Sequence, residues 1–476
     1  MKHLNTFYID GEWVDPSSTS TYAEIVDPST EAVTGRLAMG GPDDVDRAVA
    51  AARAAFPAWS STSRATRLAL LEHIAGCYEA RLGDLAAAVT AEMGAPLWLS
   101  RELHAPAGLG HIVTTIAALK DFTFEAVRGT THIVREPVGV VALITPWNWP
   151  LNQIAAKVAP ALAAGCTVVL KPSEAAPLDA RIFAEILHEA GVPKGVFNMV
   201  YGDGARVGAA LSGHRDVDMV SITGSTRAGV AVAINAAPTV KRVAQELGGK
   251  SPNLMLDDAD LTAAVSAGVV SCMMNSGQTC VAPTRMLVPR GHYAAAVDIA
   301  AATARALTVG DPRQPASKLG PLASRAQFER VQQMISTGVL EGARTVAGGS
   351  GRPEGLERGF YARPTVFADV HQDMTIAREE IFGPVLAMLA YDDEDEAISM
   401  ANDTDYGLAA YVWSTDPARA RRVAGRLRAG AVMINGARLD LTAPFGGYKS
   451  SGNGREFGDY GLAEFLEIKS VAGCAP

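Results

Sequence analysis

The sequence predicts an α/β fold whose main sheet is parallel and doubly wound. Short apolar segments rich in β-branched residues, such as "VGVVALIT" (Val138–Thr145) and "MVSIT" (Met219–Thr223), alternate with helix-like segments such as "DARIFAEILHEAG" (Asp179–Gly191). Continuous apolar strands that alternate with helices indicate a parallel sheet covered by helices on both faces. A second α/β run follows Leu256, and we expect a second domain to begin near Gly248–Gly249.

Residue spacing predicts helices before the first of these strands. Four apolar residues repeat at intervals of four, three and four: Val45, Val49, Ala52 and Phe56. A second helical stretch covers Leu70–Val89, with a break expected around Gly83. The acidic run Asp392–Glu396 opens a later helical stretch, where carboxylates suit the positive end of the helix dipole, and we expect it on the solvated surface.

Composition and charge are typical of a globular enzyme with real cores. The 476 residues are 48% hydrophobic and 20% charged, and the chain is long enough for two or three domains. With 42 basic and 51 acidic residues the net charge is −9, and no basic cluster stands out. This balance argues against nucleic acid or an anionic membrane as the main partner.

The positions of the cysteines and of the uncharged stretches further restrict the class of protein. The five cysteines are scattered and form no CxxC pair: Cys77, Cys166, Cys272, Cys280 and Cys474. They indicate neither a disulfide framework nor a zinc site, and unpaired thiols favour a reducing, cytoplasmic location. The N-terminal "MKHLNTFYIDGEW" lacks the apolar core of a signal peptide. Two uncharged windows, Pro137–Ala156 and Leu261–Thr284, are rich in amides and prolines that are costly in lipid, so we interpret them as walls of a buried site.

Three loops follow predicted strands, where a doubly wound sheet binds its ligands. They are "KPSE" (Lys171–Glu174) after "CTVVL", "YGDGARVG" (Tyr201–Gly208) after "VFNMV", and "TGSTRAG" (Thr223–Gly229) after "MVSI". The second loop resembles a dinucleotide fingerprint, but its glycine spacing is one residue too long. The third opens a helix, where backbone N–H groups favour an anion. Each of these two loops alone could be a simple strand–helix turn.

The "KPSE" loop points to a nucleotide more directly. Lys171 ends a strand, and Glu174 follows it by three residues. An ammonium and a carboxylate so placed can hydrogen-bond the hydroxyls of a ribose. The carboxylate would also repel a 2′-phosphate, which favours NAD over NADP. A surface ion pair in a turn remains an alternative.

The stretch "NSGQTC" ends at Cys280, which is either a packed core residue or a nucleophile. A nucleophilic thiol needs a proton acceptor and a stabilised oxyanion. "PWNWP" supplies Asn148, whose amide could face a developing negative charge, and "QELGGKSP" supplies Glu246, a candidate general base in apolar surroundings. Lys157 could be a buried cation near the same site. An asparagine that ties down a turn and a carboxylate that caps a helix are the structural alternatives.

Together these groups define one reaction. The thiol attacks a carbonyl carbon and Asn148 holds the oxyanion. A hydride then passes from the same carbon to a nicotinamide. A base finally activates a water molecule, which releases the product as a carboxylic acid. Seven motifs support this hypothesis in chain order: "PWNWP", "KPSE", "TGSTRAG", "ELGGKSP", "GQTC", "EEIFGPV" and "PFGGYKSSGNGRE". They cover nearly the full length, and the chain resembles the NAD(P)-dependent aldehyde dehydrogenase family of the hydrolytic, non-acylating type.

The resemblance implies a role for each matching residue. Cys280 is the nucleophile, Glu246 the general base for deacylation, and Asn148 with the Cys280 backbone N–H the oxyanion hole; Lys157 matches the family's buried lysine. The cofactor residues it implies lie along the nicotinamide, the two riboses, the adenine and the pyrophosphate: Thr145, Pro146, Trp147, Lys171, Ser173, Glu174, Gly204, Gly208, Gly224, Ser225, Leu247, Glu380 and Phe382. No metal is implied.

The family's architecture implies three parts for this chain. They are an NAD-binding domain at 1–125 and 137–247, a catalytic domain at 248–445, and an oligomerisation element at 126–136 and 446–476. The resemblance therefore implies a homodimer or homotetramer, and pairing through a tail strand is reasonable for a symmetric oligomer.

The motifs locate a substrate pocket without naming the aldehyde. Trp149, Gln153 and Ala156 share one face of the helix after Asn148, and Ala156 is small where many relatives carry an aromatic residue, which favours a longer or bulkier aldehyde. Thr279 and Val281 flank the thiol. Leu439 and Phe445 are expected opposite, and Arg438, if it points inward, would favour an aldehyde with a distal carboxylate.

Three alternatives remain open at the level of sequence. A CoA-acylating semialdehyde dehydrogenase passes its thioester to coenzyme A, although Glu246 argues against it because thiol transfer needs no base for water. A non-catalytic relative would keep the fold for binding or structure, which the intact Cys280, Glu246 and Asn148 oppose. The third alternative uses NADP, which Glu174 disfavours.

Overall fold

The computed structural model describes residues 2–17 and 21–474. The strands in chain order are β1 Lys2–Leu4, β2 Phe7–Ile9, β3 Glu12–Val14, β4 Thr21–Asp27, β5 Ala32–Met39, β6 Glu125–Arg128, β7 Thr131–Pro137, β8 Val140–Ile144, β9 Thr167–Lys171, β10 Phe197–Met199, β11 Met219–Thr223, β12 Arg242–Glu246, β13 Pro252–Met255, β14 Arg285–Pro289, β15 Arg344–Ala347, β16 Thr365–Ala368, β17 Val385–Tyr391, β18 Ala409–Trp413, β19 Ala431–Ile434, β20 Gly452–Asn453 and β21 Leu466–Ala472.

The helices in chain order are α1 Pro42–Ser60, α2 Arg64–Ala80, α3 Leu82–Met93, α4 Leu97–Leu99, α5 Ala105–Asp121, α6 Pro150–Ala164, α7 Pro177–Glu189, α8 Ala209–Gly213, α9 Thr226–Ala236, α10 Leu261–Met273, α11 Tyr293–Ala306, α12 Arg325–Leu340, α13 Thr375–Arg378, α14 Glu394–Asn402, α15 Pro417–Ala424 and α16 Gly458–Glu464. Among the described residues, no helix combines the length and apolarity that crossing a membrane requires.

The first large sheet is doubly wound, as the sequence predicts. Its order is β20-β12-β11-β8-β9-β10-β2-β3, and the five strands from β12 to β10 are parallel. The chain runs outward from β8 to β9 and β10, and then returns to the other side of β8 for β11 and β12. The strand order therefore reverses between β8 and β11, which is where such sheets open a crevice for a ligand.

The second large sheet has the order β15-β16-β17-β14-β13-β18-β19 and is parallel except for β15. This confirms the second α/β run. Loops at the amino ends of β13, β14 and β17 carry Gly249, Cys280 and Glu380. The site is therefore formed where these loops meet loops from the carboxyl ends of the first sheet.

Two smaller sheets complete the fold. One joins β1, β5 and β4, and the other joins β21, β7 and β6 in antiparallel register from Leu466↔Pro137 to Ala472↔Thr131. Before β21, the chain returns to the first large sheet, where Gly452 pairs with Glu246. The division at 248 and 446 remains a prediction.

The predicted helices and loops lie close to their expected positions. α1 contains the four spaced apolar residues, and the acidic run opens α14 with Asp393 as its N-cap. The break expected around Gly83 falls instead at Arg81, between α2 and α3. Gly83 lies in the first turn of α3, where a glycine interrupts fewer helical hydrogen bonds than it would in the interior.

Candidate active site

Asn148 stands between β8 and α6, at the reversal of strand order. α6 begins at Pro150 because proline suits the first helical turn, and it ends where Gly165 adopts a φ of 97°. The buried Asn148 Nδ2 donates a hydrogen bond to the Gln278 carbonyl oxygen at 3.2 Å. An amide nitrogen carries two hydrogens, so the second N–H is available to a substrate oxygen.

The loop that carries Cys280 is wound tightly against the second domain. Asn275 and Ser276 have φ values of 56° and 55°, and Gly277 has a φ of 73°. A Cβ on Gly277 would lie 2.0 Å from the Gly383 carbonyl oxygen, so only glycine fits there. The packing of this turn fixes the position of the thiol, and such strained turns are common at functional sites.

A second set of contacts joins this loop to the start of α6. Trp149 Nε1 donates to Thr279 Oγ1 at 2.9 Å, and Asn275 Nδ2 donates to the Asn148 carbonyl oxygen at 2.9 Å. His104 stacks on Trp149 with ring centroids 4.0 Å apart, and its Nε2 lies 3.3 Å from Asn275 Oδ1. Burial lowers the pKa of His104 to about 3, so the ring is neutral and donates this bond. The structure thus brings Asn148 and the Cys280 loop together, as predicted.

Cys280 is half-buried and protonated in this arrangement. Burial, followed by the charges of Glu380 and Glu246, raises the pKa of its thiol to about 12. A neutral thiol must lose its proton as it attacks a carbonyl carbon, so the chemistry requires a neighbouring base.

Glu246 has the properties of that base. It ends β12, is only 4% exposed, and neither carboxyl oxygen has a hydrogen-bond partner within the described residues. Burial, followed by the charge of Glu456, raises the pKa of Glu246 well above its usual range. A Cβ on Gly446 would lie 2.8 Å from its Oε1, so this glycine leaves room for the carboxyl group.

Lys157 is fully buried and is held by two partners. Its Nζ donates to Ser221 Oγ at 3.1 Å and forms an ion pair with Glu456. The charge of Lys157 partly offsets the rise in the pKa of Glu246. Glu456 is absent from the predicted site, although it is the last residue of the motif "PFGGYKSSGNGRE".

The Gly248–Gly249 pair lets three groups approach one another. A Cβ on Gly248 would lie 2.3 Å from Glu380 Oε2, and a Cβ on Gly249 would lie 2.4 Å from the Cys280 carbonyl oxygen. The Gly249 N–H donates to Glu380 Oε1 at 3.0 Å. Burial raises the pKa of Glu380 to about 7. Beside it, Phe382 has a φ of 57° and meets Trp147 edge to face at 5.5 Å.

The residues predicted to hold a dinucleotide line the crevice of the first sheet. The buried hydroxyls of Thr145 and Thr223 have no partner in the described part of the chain, and both lie at strand ends on this edge. The Ser225 hydroxyl caps α9 by accepting from Ala228 N at 3.2 Å, which leaves its own hydrogen free. Lys171 Nζ lies 3.2 Å from Glu174 Oε2.

The remaining predicted cofactor residues surround the same crevice. Gly204 and Gly208 bound a single π-helical turn after β10, and among the described atoms none lies within 4 Å of a Cβ built on Gly204. Leu247 packs against Gly229, and the Ser173 hydroxyl accepts from Ala175 N at 3.2 Å. Unpartnered hydroxyls, open space over glycine, and a helix N-terminus fit a dinucleotide.

A cluster of apolar side chains adjoins the thiol. Four buried residues form this cluster, with the partly buried Cys280, Val281 and Leu441 packed against them: Ala156, Leu408, Phe445 and Phe457. Phe445 and Phe457 stack at 4.8 Å. The buried Gln153 lies on α6 one turn after Trp149, whereas Arg438 and Leu439 are exposed. The sequence analysis missed Leu408, Phe457 and His104, which no motif or periodicity marks.

A half-buried thiol, an amide donor and a buried carboxyl group beside the crevice of a doubly wound sheet are typical of an enzyme. Comparison with known proteins narrows this class. The model of the aldehyde dehydrogenase family matches residues 13–471. The chain belongs to this family and is therefore an oxidoreductase that acts on aldehydes.

Individual relatives are similar to this chain over almost its whole length. A 3-succinoylsemialdehyde-pyridine dehydrogenase from a Pseudomonas species is 57% identical over 99% of both chains. Aldehyde dehydrogenase C from Pseudomonas syringae, solved as a cysteine-to-alanine mutant with NAD+ and octanal, is 54% identical with a TM-score of 0.98, covering 99% of this chain and 97% of that one. A Mycobacterium tuberculosis aldehyde dehydrogenase solved with NAD+ is 43% identical with a TM-score of 0.96, covering 99% and 98%.

Proposed function

We propose that the protein oxidises an aldehyde to its carboxylic acid with NAD, through a thioester on Cys280 that water hydrolyses with help from Glu246. The observation that carries the proposal is the tight loop that holds Cys280 against Asn148, next to a buried carboxyl group without a partner among the described residues. The NAD+ complexes of the Pseudomonas syringae and Mycobacterium tuberculosis relatives support the choice of cofactor.

In the first half of the reaction, the Cys280 sulfur bonds to the aldehyde carbon while the thiol proton passes to Glu246. The carbonyl oxygen becomes negatively charged and accepts hydrogen bonds from Asn148 Nδ2 and the Cys280 backbone N–H. Such donors, fixed before the reaction, stabilise an oxyanion without having to reorganise. NAD, when bound, supplies the acceptor for the two electrons that leave the carbon with its hydrogen.

In the second half, the carbon remains bonded to Cys280 as a thioester. Glu246 first releases the thiol proton to solvent, and then removes a proton from a water molecule that attacks this carbon. The carbon–sulfur bond breaks, the acid leaves, and the thiol is restored. The raised pKa of Glu246 makes it a stronger base than an exposed carboxylate would be.

The cofactor contacts support NAD over NADP. Lys171, Ser173 and Glu174 would hold the adenosine ribose, and the Glu174 carboxylate would repel a 2′-phosphate. Thr145, Pro146, Trp147, Leu247, Glu380 and Phe382 would surround the nicotinamide and its ribose. Gly224 and Ser225 at the start of α9 would face the pyrophosphate, with Gly204 and Gly208 near the adenine.

The apolar side chains beside Cys280 support an aldehyde with an apolar or aromatic acyl chain. Ala156 contributes only a methyl group to the cluster that holds the stacked Phe445 and Phe457 and contacts the thiol. The Pseudomonas syringae relative was solved with octanal. Arg438 is exposed, and selection of a distal carboxylate by this residue remains a prediction.

We also propose that the protein is a cytoplasmic homodimer or homotetramer. The three-stranded sheet of β6, β7 and β21 exposes Val127, Ile468 and Val471, which is unusual for a sheet that stays uncovered.

One assay tests the proposed function. Wild type should reduce NAD with a panel of aliphatic and aromatic aldehydes and release free acid, and Glu174 should make kcat/KM lower with NADP. Cys280→Ser should abolish activity, and Glu246→Gln should lower kcat by roughly 10²–10⁴-fold. Undiminished oxidation by Cys280→Ser, or acyl-CoA as the product when coenzyme A is added, would contradict the proposal.

A further inference from the structure

A polar pair lies beside the apolar cluster at the thiol. His111 on α5 and Asn152 on α6 meet across the interface of these two helices, with Nε2 and Oδ1 2.7 Å apart. His111 is only 2% exposed, whereas Asn152 is half-buried. The reaction described above gives neither residue a role.

The pair is continuous with the surface that contacts the thiol. The His111 ring lies 4.6 Å from that of Phe457, which stacks on Phe445. Asn152 precedes Ala156 by four residues on α6, so the two side chains share a face about 6 Å apart along the axis. Ala156 belongs to the cluster that includes Cys280. Asn152 is therefore about one helical turn beyond the residue that packs beside the reacting sulfur.

The hydrogen bond between the two residues orients the amide. Burial lowers the pKa of His111 to about 4, so the imidazole is neutral near pH 7 and carries one N–H. With this N–H donated to Asn152 Oδ1, the amide nitrogen points away from His111. Asn152 Nδ2 has no hydrogen-bond partner among residues 2–17 and 21–474.

A purely structural pair would leave a different pattern. Two polar groups that only tie α5 to α6 would satisfy each other and be covered by apolar side chains. Here the histidine is covered, but the asparagine is half-exposed on the helix face that also carries Ala156. The pair therefore presents an uncharged, oriented donor next to side chains that are otherwise apolar.

We propose that Asn152, oriented by His111, donates a hydrogen bond to an acceptor on the acyl chain of the substrate. The preferred aldehyde then carries an uncharged acceptor, such as a ketone oxygen or a ring nitrogen, several bonds from the aldehyde carbon. A carboxylate is not selected, because the imidazole is neutral at this position. This inference rests on the proposed aldehyde oxidation and adds the chemical class of the substrate to it.

Two matched aldehydes test the proposal: 4-oxo-4-phenylbutanal, which carries a ketone, and 4-phenylbutanal, which does not. Wild type should show a kcat/KM for the keto aldehyde at least about tenfold higher, since one hydrogen bond to a poorly solvated group has about this effect. Asn152→Leu should remove most of this ratio and leave kcat/KM for 4-phenylbutanal within about threefold. The substrate pair is its own control, because damage to the fold lowers both values together.

Further variants separate orientation from contact. His111→Phe keeps an aromatic ring against Phe457 but releases the amide, so the ratio should fall part of the way. Asn152→Ser provides a smaller side chain should the leucine variant not fold. Val113→Ala changes a half-exposed side chain of α5 and should leave the ratio unchanged.

Several outcomes would overturn the inference. For Asn152→Leu, these are an equal loss of kcat/KM for both aldehydes or an unchanged ratio between them. For wild type, they are a preference for 4-phenylbutanal, a stronger preference for the 4-hydroxy analogue, or no activity with either compound while other aldehydes are oxidised. In each case the proposed function stands. If wild type oxidises no aldehyde in the panel with NAD, the proposed function itself fails.

Discussion

Lys157 and Glu456 form a buried ion pair behind Glu246, and this pair controls the charge around the proposed base. Lys157 projects from α6, whereas Glu456 lies in the segment that follows β20. The charge of Glu456 raises the pKa of Glu246, and that of Lys157 lowers it.

Glu456→Gln should therefore move the pH dependence of turnover. The change removes a negative charge and leaves Lys157 unpaired, and both effects lower the pKa of Glu246. The acidic limb of the kcat profile should shift to lower pH, which a series of NADH assays from about pH 5 to 9 would measure. A buried unpaired cation should also destabilise the fold by about 3–5 kcal/mol. Glu464→Gln is the matched control, because the charge of Glu464 raises the pKa of Glu246 less than that of Glu456 does. The acidic limb of its kcat profile should therefore move less. Equal shifts in the two variants would contradict the role of the Lys157–Glu456 pair.

Alkylation of Cys280 should depend steeply on pH. Because the pKa of its thiol is raised to about 12, the reactive thiolate is a small fraction at pH 7 in the protein without ligand. The rate with iodoacetamide should rise about tenfold for each pH unit between about 7 and 10, since the thiolate fraction does so below the pKa. Mass spectrometry of the peptide that contains Cys280 gives the rate. A plateau below about pH 9 would show that the thiol is already activated.

Gly249→Ala should inactivate the enzyme by moving the thiol. Its Cβ would lie 2.4 Å from the Cys280 carbonyl oxygen, which cannot be accommodated without displacing the loop. A shift of about 1 Å at a reacting group can cost about 10²-fold in rate. Gly83→Ala is the control, since within the described residues no atom lies within 4 Å of its Cβ, and it should stabilise α3 or leave it unchanged. Comparable activity of the two variants would contradict the role of Gly249.

Asp179→Asn should stabilise the protein, and more at pH 8 than at pH 5. Asp179 is fully buried next to the carboxyl group of Glu92, and burial raises the pKa of Asp179 to about 7. The unfolded chain releases this proton near pH ~3.9, so the folded state binds more protons between that value and about pH 7. The free energy of unfolding therefore falls as pH rises through this window. Thermal melts of both proteins at pH 5 and 8 would test this, and an equal difference in Tm at the two pH values would contradict it.

The sequence predicts the parts of the fold that have local causes. The apolar runs at β8, β9, β10 and β11 and the glycine loops after them are confirmed because each pattern is contained in one segment. The meeting of Asn148 with the Cys280 loop is also confirmed. The motifs identify the two segments, and the position of Asn148 after β8 places it at the edge of the sheet where ligands bind.

The missed residues depend on contacts between distant segments. Glu456 reaches Lys157 only because the chain returns to pair Gly452 with Glu246, and no periodic pattern predicts that return. His104 stacks on Trp149 from a π-helical turn, Ser100–His104, which has no sequence signature. The roles assigned to individual site residues stay predictions until the variants are made.

The hydrogen bonds that join Asn148 to Gln278 and Asn275 also affect how the two halves of the molecule are coupled. The proposed oxyanion donor follows a strand of the first large sheet and the sulfur lies in a loop of the second, so the proposed centre needs both sheets. A small displacement of one half relative to the other would separate Asn148 from Cys280. The enzyme would then lose activity although both hydrophobic cores stayed intact. The turnover rate therefore depends directly on how the two halves are aligned.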